Sequence, residues 1–218
     1  PSWKNSRNPG EADKYLAAAE LFLSTGRPRY KAYILDHREI VKENFDRLGW
    51  TGVRTLDALD SKETNTFFMQ CARDYKQKLD LELYSNPFGL PLPEDIWGTG
   101  SRIQYFAMRY YFLHRQFPEI FDKDPVHRSL EYVLGRHPGS HISYVSGVGA
   151  HSVTTAYGVN RGDWSYIPGG VVSGTALIES ELPELKQNWP YLWQQTQYTI
   201  SAAATYIFCA LAHNSLLP

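Results

Sequence analysis

Asp124-Pro-Val-His-Arg-Ser-Leu-Glu-Tyr-Val-Leu-Gly-Arg-His-Pro138, with Ser143-Tyr-Val-Ser-Gly-Val-Gly149 close behind it, is the stretch on which the reading of the fold turns. Asp124 and Pro125 start a short helix that runs to Leu134, where Gly135 and Pro138 stop it. Beyond that stop the chain changes character. Residues 135–187 mix glycine, proline, β-branched and polar residues, which predicts long connections with at most a short hairpin. Tyr144, Tyr157, Trp164 and Tyr166 argue that these connections are ordered, because large flat rings need surfaces to pack on.

Working outward, helical spacing dominates. Tyr15, Ala18, Ala19 and Phe22 share one face of a helix over 11–24, with Gly26 as its stop. A second helix is expected from Asp36 to Leu48, ended by Gly49. Ser61 reads as the cap of a third, which runs through Phe67, Phe68, Cys71, Tyr75 and Leu79. Three prolines and three glycines between Asn86 and Gly100 rule out a helix there and predict an ordered loop ending at Trp97. Ile103, Phe106, Tyr110 and Leu113 mark a helix over 101–117, and Trp193 to His213 reads as one long, Ala-rich buried helix. No linker divides the chain, so 1–218 is taken as a single piece of one domain. About six helices with alternating short and long connections suggest an all-α fold of the α/α toroid type. A closed ring of helical hairpins needs about twice as many, so the chain reads as half of one.

Composition limits the function. Lys and Arg number 22 against 23 Asp and Glu, a formal charge of −1, which argues against a nucleic-acid or anionic-membrane partner. No run of 18 apolar residues predicts a membrane span. No zinc-ligand spacing, calcium loop, phosphate-binding glycine motif or nucleophile elbow is present, so no metal and no cofactor is expected. Cys71 and Cys209 sit in apolar helical contexts and read as buried thiols, with a disulfide left open. The aromatic content is the unusual quantity: six Trp, fifteen Tyr and ten Phe. Such side chains fill cores, and Trp and Tyr also form the amphipathic walls that suit sugar rings.

Four blocks, in order, give the chain a family likeness. They are Tyr15-Leu-Ala-Ala-Ala-Glu-Leu-Phe-Leu-Ser-Thr-Gly, then Asn86-Pro-Phe-Gly-Leu-Pro with Trp97-Gly-Thr-Gly-Ser, then the stretch quoted at the outset, and last Pro168-Gly-Gly-Val-Val-Ser-Gly with the helix ending Cys209-Ala-Leu-Ala. Over about residues 11–212 the chain resembles the C-terminal half of glycoside hydrolase family 9, inverting cellulase-like enzymes on an (α/α)6 barrel. The resemblance implies action on a β-linked oligo- or polysaccharide. It further implies a partner, either the N-terminal half or a second chain, and an extracellular or periplasmic setting.

Inverting hydrolysis needs one carboxylic acid to protonate the leaving oxygen and a second carboxylate, roughly 6.5–9.5 Å away, to activate water. The family's base aspartates belong to the N-terminal half. Leu56-Asp-Ala-Leu-Asp60 invites comparison but lacks the family's glycine and reads as a loop before a helix cap. The family's acid is a Glu in Asn-Glu-x-x-Ile, and alignment on Ile200 puts Gln197 in its place. A carboxamide hydrogen-bonds a glycosidic oxygen but does not donate a proton as a tuned acid does. Glu179 and Glu181 are the alternative acids, weighed against an ordinary role as solvated loop carboxylates. For substrate binding the resemblance points to Trp97 and Trp164 as stacking faces, and to Tyr157, Asn160, Arg161 and His151 where the family has a His-His-Arg cluster. Arg161 suits a fork onto sugar hydroxyls and equally a salt bridge with Asp163.

Overall fold

The computed structural model describes residues 9–92, 94–154, 166–179, 182–184 and 193–218. These residues divide into two compact units. The first takes the chain up to Leu79 together with Arg109–Asp122; the second takes Asp80–Met108 and Lys123 onward.

In the first unit, α1 (Pro9–Thr25) packs on α2 (Pro28–Asp36) and on α4 (Phe45–Val53), with α3 (Glu39–Glu43) against α4. α5 (Leu56–Leu59) and most of α6 (Lys62–Leu83) complete its N-terminal part. The face predicted for the first helix is the buried one: Tyr15, Ala18, Ala19 and Phe22 all lie in the core. Ser61 caps α6, accepting the Thr64 amide at 3.3 Å. The single helix expected over 36–48 is not formed. Pro28 instead starts α2, where its missing N–H costs nothing, and His37 ends it. Asn44 leaves helical geometry at φ −133° and donates its side-chain amide to the Ile40 carbonyl, closing α3. Gly49 lies inside α4 beneath the Phe45 ring rather than at a helix end. Asp57 and Asp60 are exposed beside the buried Leu56 and Leu59, so Leu56–Asp60 is a helical turn and its cap.

In the second unit, β1 (Asp95–Gly98) pairs antiparallel with β2 (Ala176–Glu179), and β2 with β3 (Leu182–Glu184), in the order β1-β2-β3. The helices are the start of α7 (Gly100–Gln116), α8 (Asp124–Val133), α9 (Trp193–Thr196) and α10 (Ile200–Ser215). Its core is built from Leu90, Ile103, Tyr132, Val133, Tyr144, Val145, Val171, Val172 and Ala202. Burial of each large aliphatic or aromatic side chain in it contributes about 1.5–3 kcal/mol. The short hairpin anticipated in 135–187 is β2–β3, while Trp97 stands in a strand instead of closing a loop. The long helix expected over 193–213 is interrupted. Tyr198 bridges to Val172, Thr199 is extended, and its Oγ1 caps α10 by accepting the Ala202 amide at 3.2 Å. Cys71 and Cys209 are both buried and free. Burial pushes the Cys209 thiol up to about 12, which keeps it protonated and unreactive.

Candidate functional site

The buried segment Val171–Thr175 organises the second unit. On one side Val145 bridges to Val171, and the Val172 amide donates to the Tyr144 carbonyl at 3.0 Å. Ser173 and Thr175 carbonyls accept the amides of Gly100 and Thr99, at 2.8 and 2.9 Å, which fixes the end of β1 and the entry to α7. The Gly174 amide donates to the Gln195 carbonyl at 2.8 Å, and Ser173 Oγ donates to the Gln197 carbonyl at 3.4 Å. One five-residue segment thus holds both the strand that carries Trp97 and the α9–α10 junction that carries Gln197. Gly174 makes this possible. Its φ of +82° is left-handed, and a Cβ there would stand 2.2 Å from the Tyr144 ring.

Beneath the segment runs a buried polar chain. Tyr132 Oη and Thr99 Oγ1 are 2.8 Å apart, and Thr99 Oγ1 donates to the Thr175 carbonyl at 3.0 Å. Tyr144 Oη accepts the Thr175 amide at 3.0 Å and donates to Thr175 Oγ1 at 2.8 Å. Thr175 Oγ1 lies 3.3 Å from His137 Nδ1, while His137 Nε2 lies 2.9 Å from the Ile142 carbonyl. His137 Nδ1 also lies 3.1 Å from the Pro138 carbonyl, so both ring nitrogens face backbone acceptors. Burial holds the His137 imidazole below its ordinary range and raises the Tyr132 phenol to about 12. The hydrogen bonds of these groups hold the backbone of Thr175, Pro138 and Ile142 in place.

Trp97 is 37% exposed on β1, and α9 packs against this strand. Its amide donates to Asp95 Oδ1 at 3.0 Å, and Arg102 pairs with the other Asp95 oxygen, so the carboxylate of β1 is already engaged. Gln197 is half-buried at the junction, two residues from Thr199 and directly before Tyr198, whose hydroxyl meets Ser146 Oγ. Gln195, which sequence reasoning missed, is 2% exposed, and among the described residues its Oε1 has no hydrogen-bond partner. The polar run Gln194-Gln195-Thr196-Gln197 in an otherwise apolar segment was the available signal. His151 is exposed; its ring stands edge-on to His141 at 5.0 Å, and its carbonyl accepts the Ser143 amide. The backbone of Glu179 ends β2 opposite Leu182. Glu181, Tyr157, Asn160, Arg161 and Trp164 lie outside the described residues. Among the described residues no group of three or more His, Cys, Asp or Glu is arranged to hold a metal ion.

The architecture is that of family 9 glycoside hydrolases. A metagenome-derived glycoside hydrolase family 9 endoglucanase superposes with a TM-score of 0.72 at 21% identity, over 100% of this chain and 44% of its own. A family 9 enzyme from Bacteroides ovatus gives 0.68 at 18% identity, over 95% and 41%. A thermostable endoglucanase from Alicyclobacillus acidocaldarius gives 0.67 at 17%, over 93% and 43%. At these identities the likeness is one of fold: mostly helical, and part of an α/α toroid. This chain spans a little over two fifths of the length of the structures it matches. No family model matches the chain, and no curated protein matches its sequence.

Proposed function

We propose that the chain is the acid-side part of a family-9-like glycoside hydrolase domain, and that its site at Trp97, Gln195 and Gln197 holds a β-linked oligo- or polysaccharide. The observation that carries this reading is the joint anchoring of the Trp97 strand and the Gln195–Gln197 segment to Ser173–Thr175. That anchoring ties an exposed Trp97, whose indole can stack on a pyranose, and a half-buried Gln197, whose carboxamide can donate to and accept from hydroxyls, to one segment. The fold likeness to endoglucanases supports a saccharide partner.

Hydrolysis asks for more than these groups. With Gln197 at the acid's position, the chain by itself binds and does not cleave. In the complete domain the base comes from the remaining polypeptide, and Glu179 or Glu181 supplies the proton. Tyr157, Asn160, Arg161, Trp164 and His151 line the sugar in this proposal. A second reading, a carbohydrate-binding relative without cleavage, is favoured specifically by the carboxamide at 197. Both readings need a partner, the rest of the domain or a second chain. An uncovered apolar stripe on α10 supports that need: Ile200 is 90% exposed, Ile207 60% and Leu211 65%. Among the described residues no helix is long and apolar enough to cross a membrane. The setting proposed is extracellular or periplasmic.

Calorimetric titration with cellotetraose tests the proposal. The native chain is expected to bind saturably, and Trp97→Ala to weaken binding by about 1 kcal/mol, roughly fivefold, through loss of the stacking face. Equal affinities for the two proteins, or no binding by the native chain, contradict it.

A further inference from the structure

In the second unit the first turn of α8 meets the last turn of α10 at two histidines. His127 Nδ1 and His213 Nδ1 are 2.7 Å apart, and the rings stand edge-on with centroids 4.5 Å apart. Two ring nitrogens at that distance make a hydrogen bond only when one carries a proton and the other presents a lone pair. A neutral pair satisfies this, and so does a pair holding one added proton. Two imidazolium rings do not: both nitrogens are then donors, and two positive charges face each other.

We propose that His127 and His213 form a proton-operated clasp between α8 and α10, closed while the pair carries at most one added proton and opened by the second. The charges around it are mixed. On α8, Lys123 adds a positive charge, while Asp124 and Glu131 are negative and favour a charged His127. From α10 the facing group is His213 itself. Burial, followed by the His213 charge, prevails and holds the His127 imidazole below its ordinary range. Lys123 Nζ also donates to the Leu216 carbonyl at 3.0 Å, just past the end of α10, so the clasp and this tie secure the same turn. For an imidazole lowered by folding, the unfolded chain takes the proton first. The clasp therefore stabilises in full above about pH 6.5 and loses its contribution as pH falls below that value.

Histidine-ring NMR of the native chain from pH 8 to 4.5, with amide exchange of residues 212–215 read in parallel, tests the clasp. The two rings are expected to take up their protons in two separate steps, with His127 displaced below the ordinary imidazole range. Exchange corrected for its intrinsic rate is expected to rise roughly tenfold for each pH unit between the two steps. H127Q and H213Q should each leave a single imidazole step and flatten the exchange profile. Two rings that take up their protons together in the native chain overturn the proposal, and so does exchange that is flat with pH. A pH dependence of exchange that survives in both variants also overturns it.

Discussion

Gly174 is the residue on which the site's geometry depends most directly. Alanine there meets a left-handed φ and a Cβ position 2.2 Å from the Tyr144 ring, and Tyr144 is pinned by two hydrogen bonds to Thr175. Gly169 has a similar φ of +77°, but nothing lies within 4 Å of where a methyl group would stand, so it separates backbone strain from overpacking. G169A is expected to cost about 1 kcal/mol. G174A should cost about 2–4 kcal/mol, since overpacking adds to the strain. Urea unfolding reads both, and equal losses would show that Tyr144 gives way. At this scale the sequence was partly legible. Motif order singles out Trp97 and Gln197, whereas Thr99, Thr175 and His137 are joined by pairings 31 to 76 residues apart, which no local pattern encodes.

Among the elements, the α9–α10 junction decides where Gln197 lies. Its sequence continues an apolar helical pattern, and the break comes from a competing interaction: Tyr198 pairs with Val172, and Thr199 offers its hydroxyl as a cap. Thr199→Ala is expected to lose about 1 kcal/mol of unfolding free energy, and Thr199→Ser to keep most of it. An unchanged stability for T199A would mean that the cap does not hold the junction. β1 is a further case of tertiary pairing overriding local signal. Asp95–Gly98 lies in a proline- and glycine-rich stretch and becomes a strand because Ala176 and Leu177 pair with it. The helices α1, α6 and α7 were legible because their apolar faces repeat at 3.6 residues over whole turns, and α8 because Asp124-Pro125 starts it and Gly135 and Pro138 stop it. The short helices α2, α3 and α5 were not, since each is set by a proline start or an asparagine or aspartate stop rather than by periodicity.

For the whole molecule, the exposed stripe of Ile200, Ile207 and Leu211 sets the expected behaviour in solution. Such a contiguous apolar face favours association. The 218-residue chain is expected to sediment as an oligomer, and replacing Ile207 and Leu211 with Glu to shift it toward monomer with unchanged circular dichroism. A native chain that sediments as a compact monomer contradicts this. The central claim, that a saccharide is held where β1 meets the α9–α10 junction, is tested most directly by following the indole and side-chain amide resonances during a cellotetraose titration. The account predicts saturable shifts for the Trp97 indole and the Gln195 and Gln197 amides, with the Trp50 indole, bonded to the Arg47 carbonyl in the first unit, left unmoved. A Trp97 indole that stays in place at saturating sugar would contradict it.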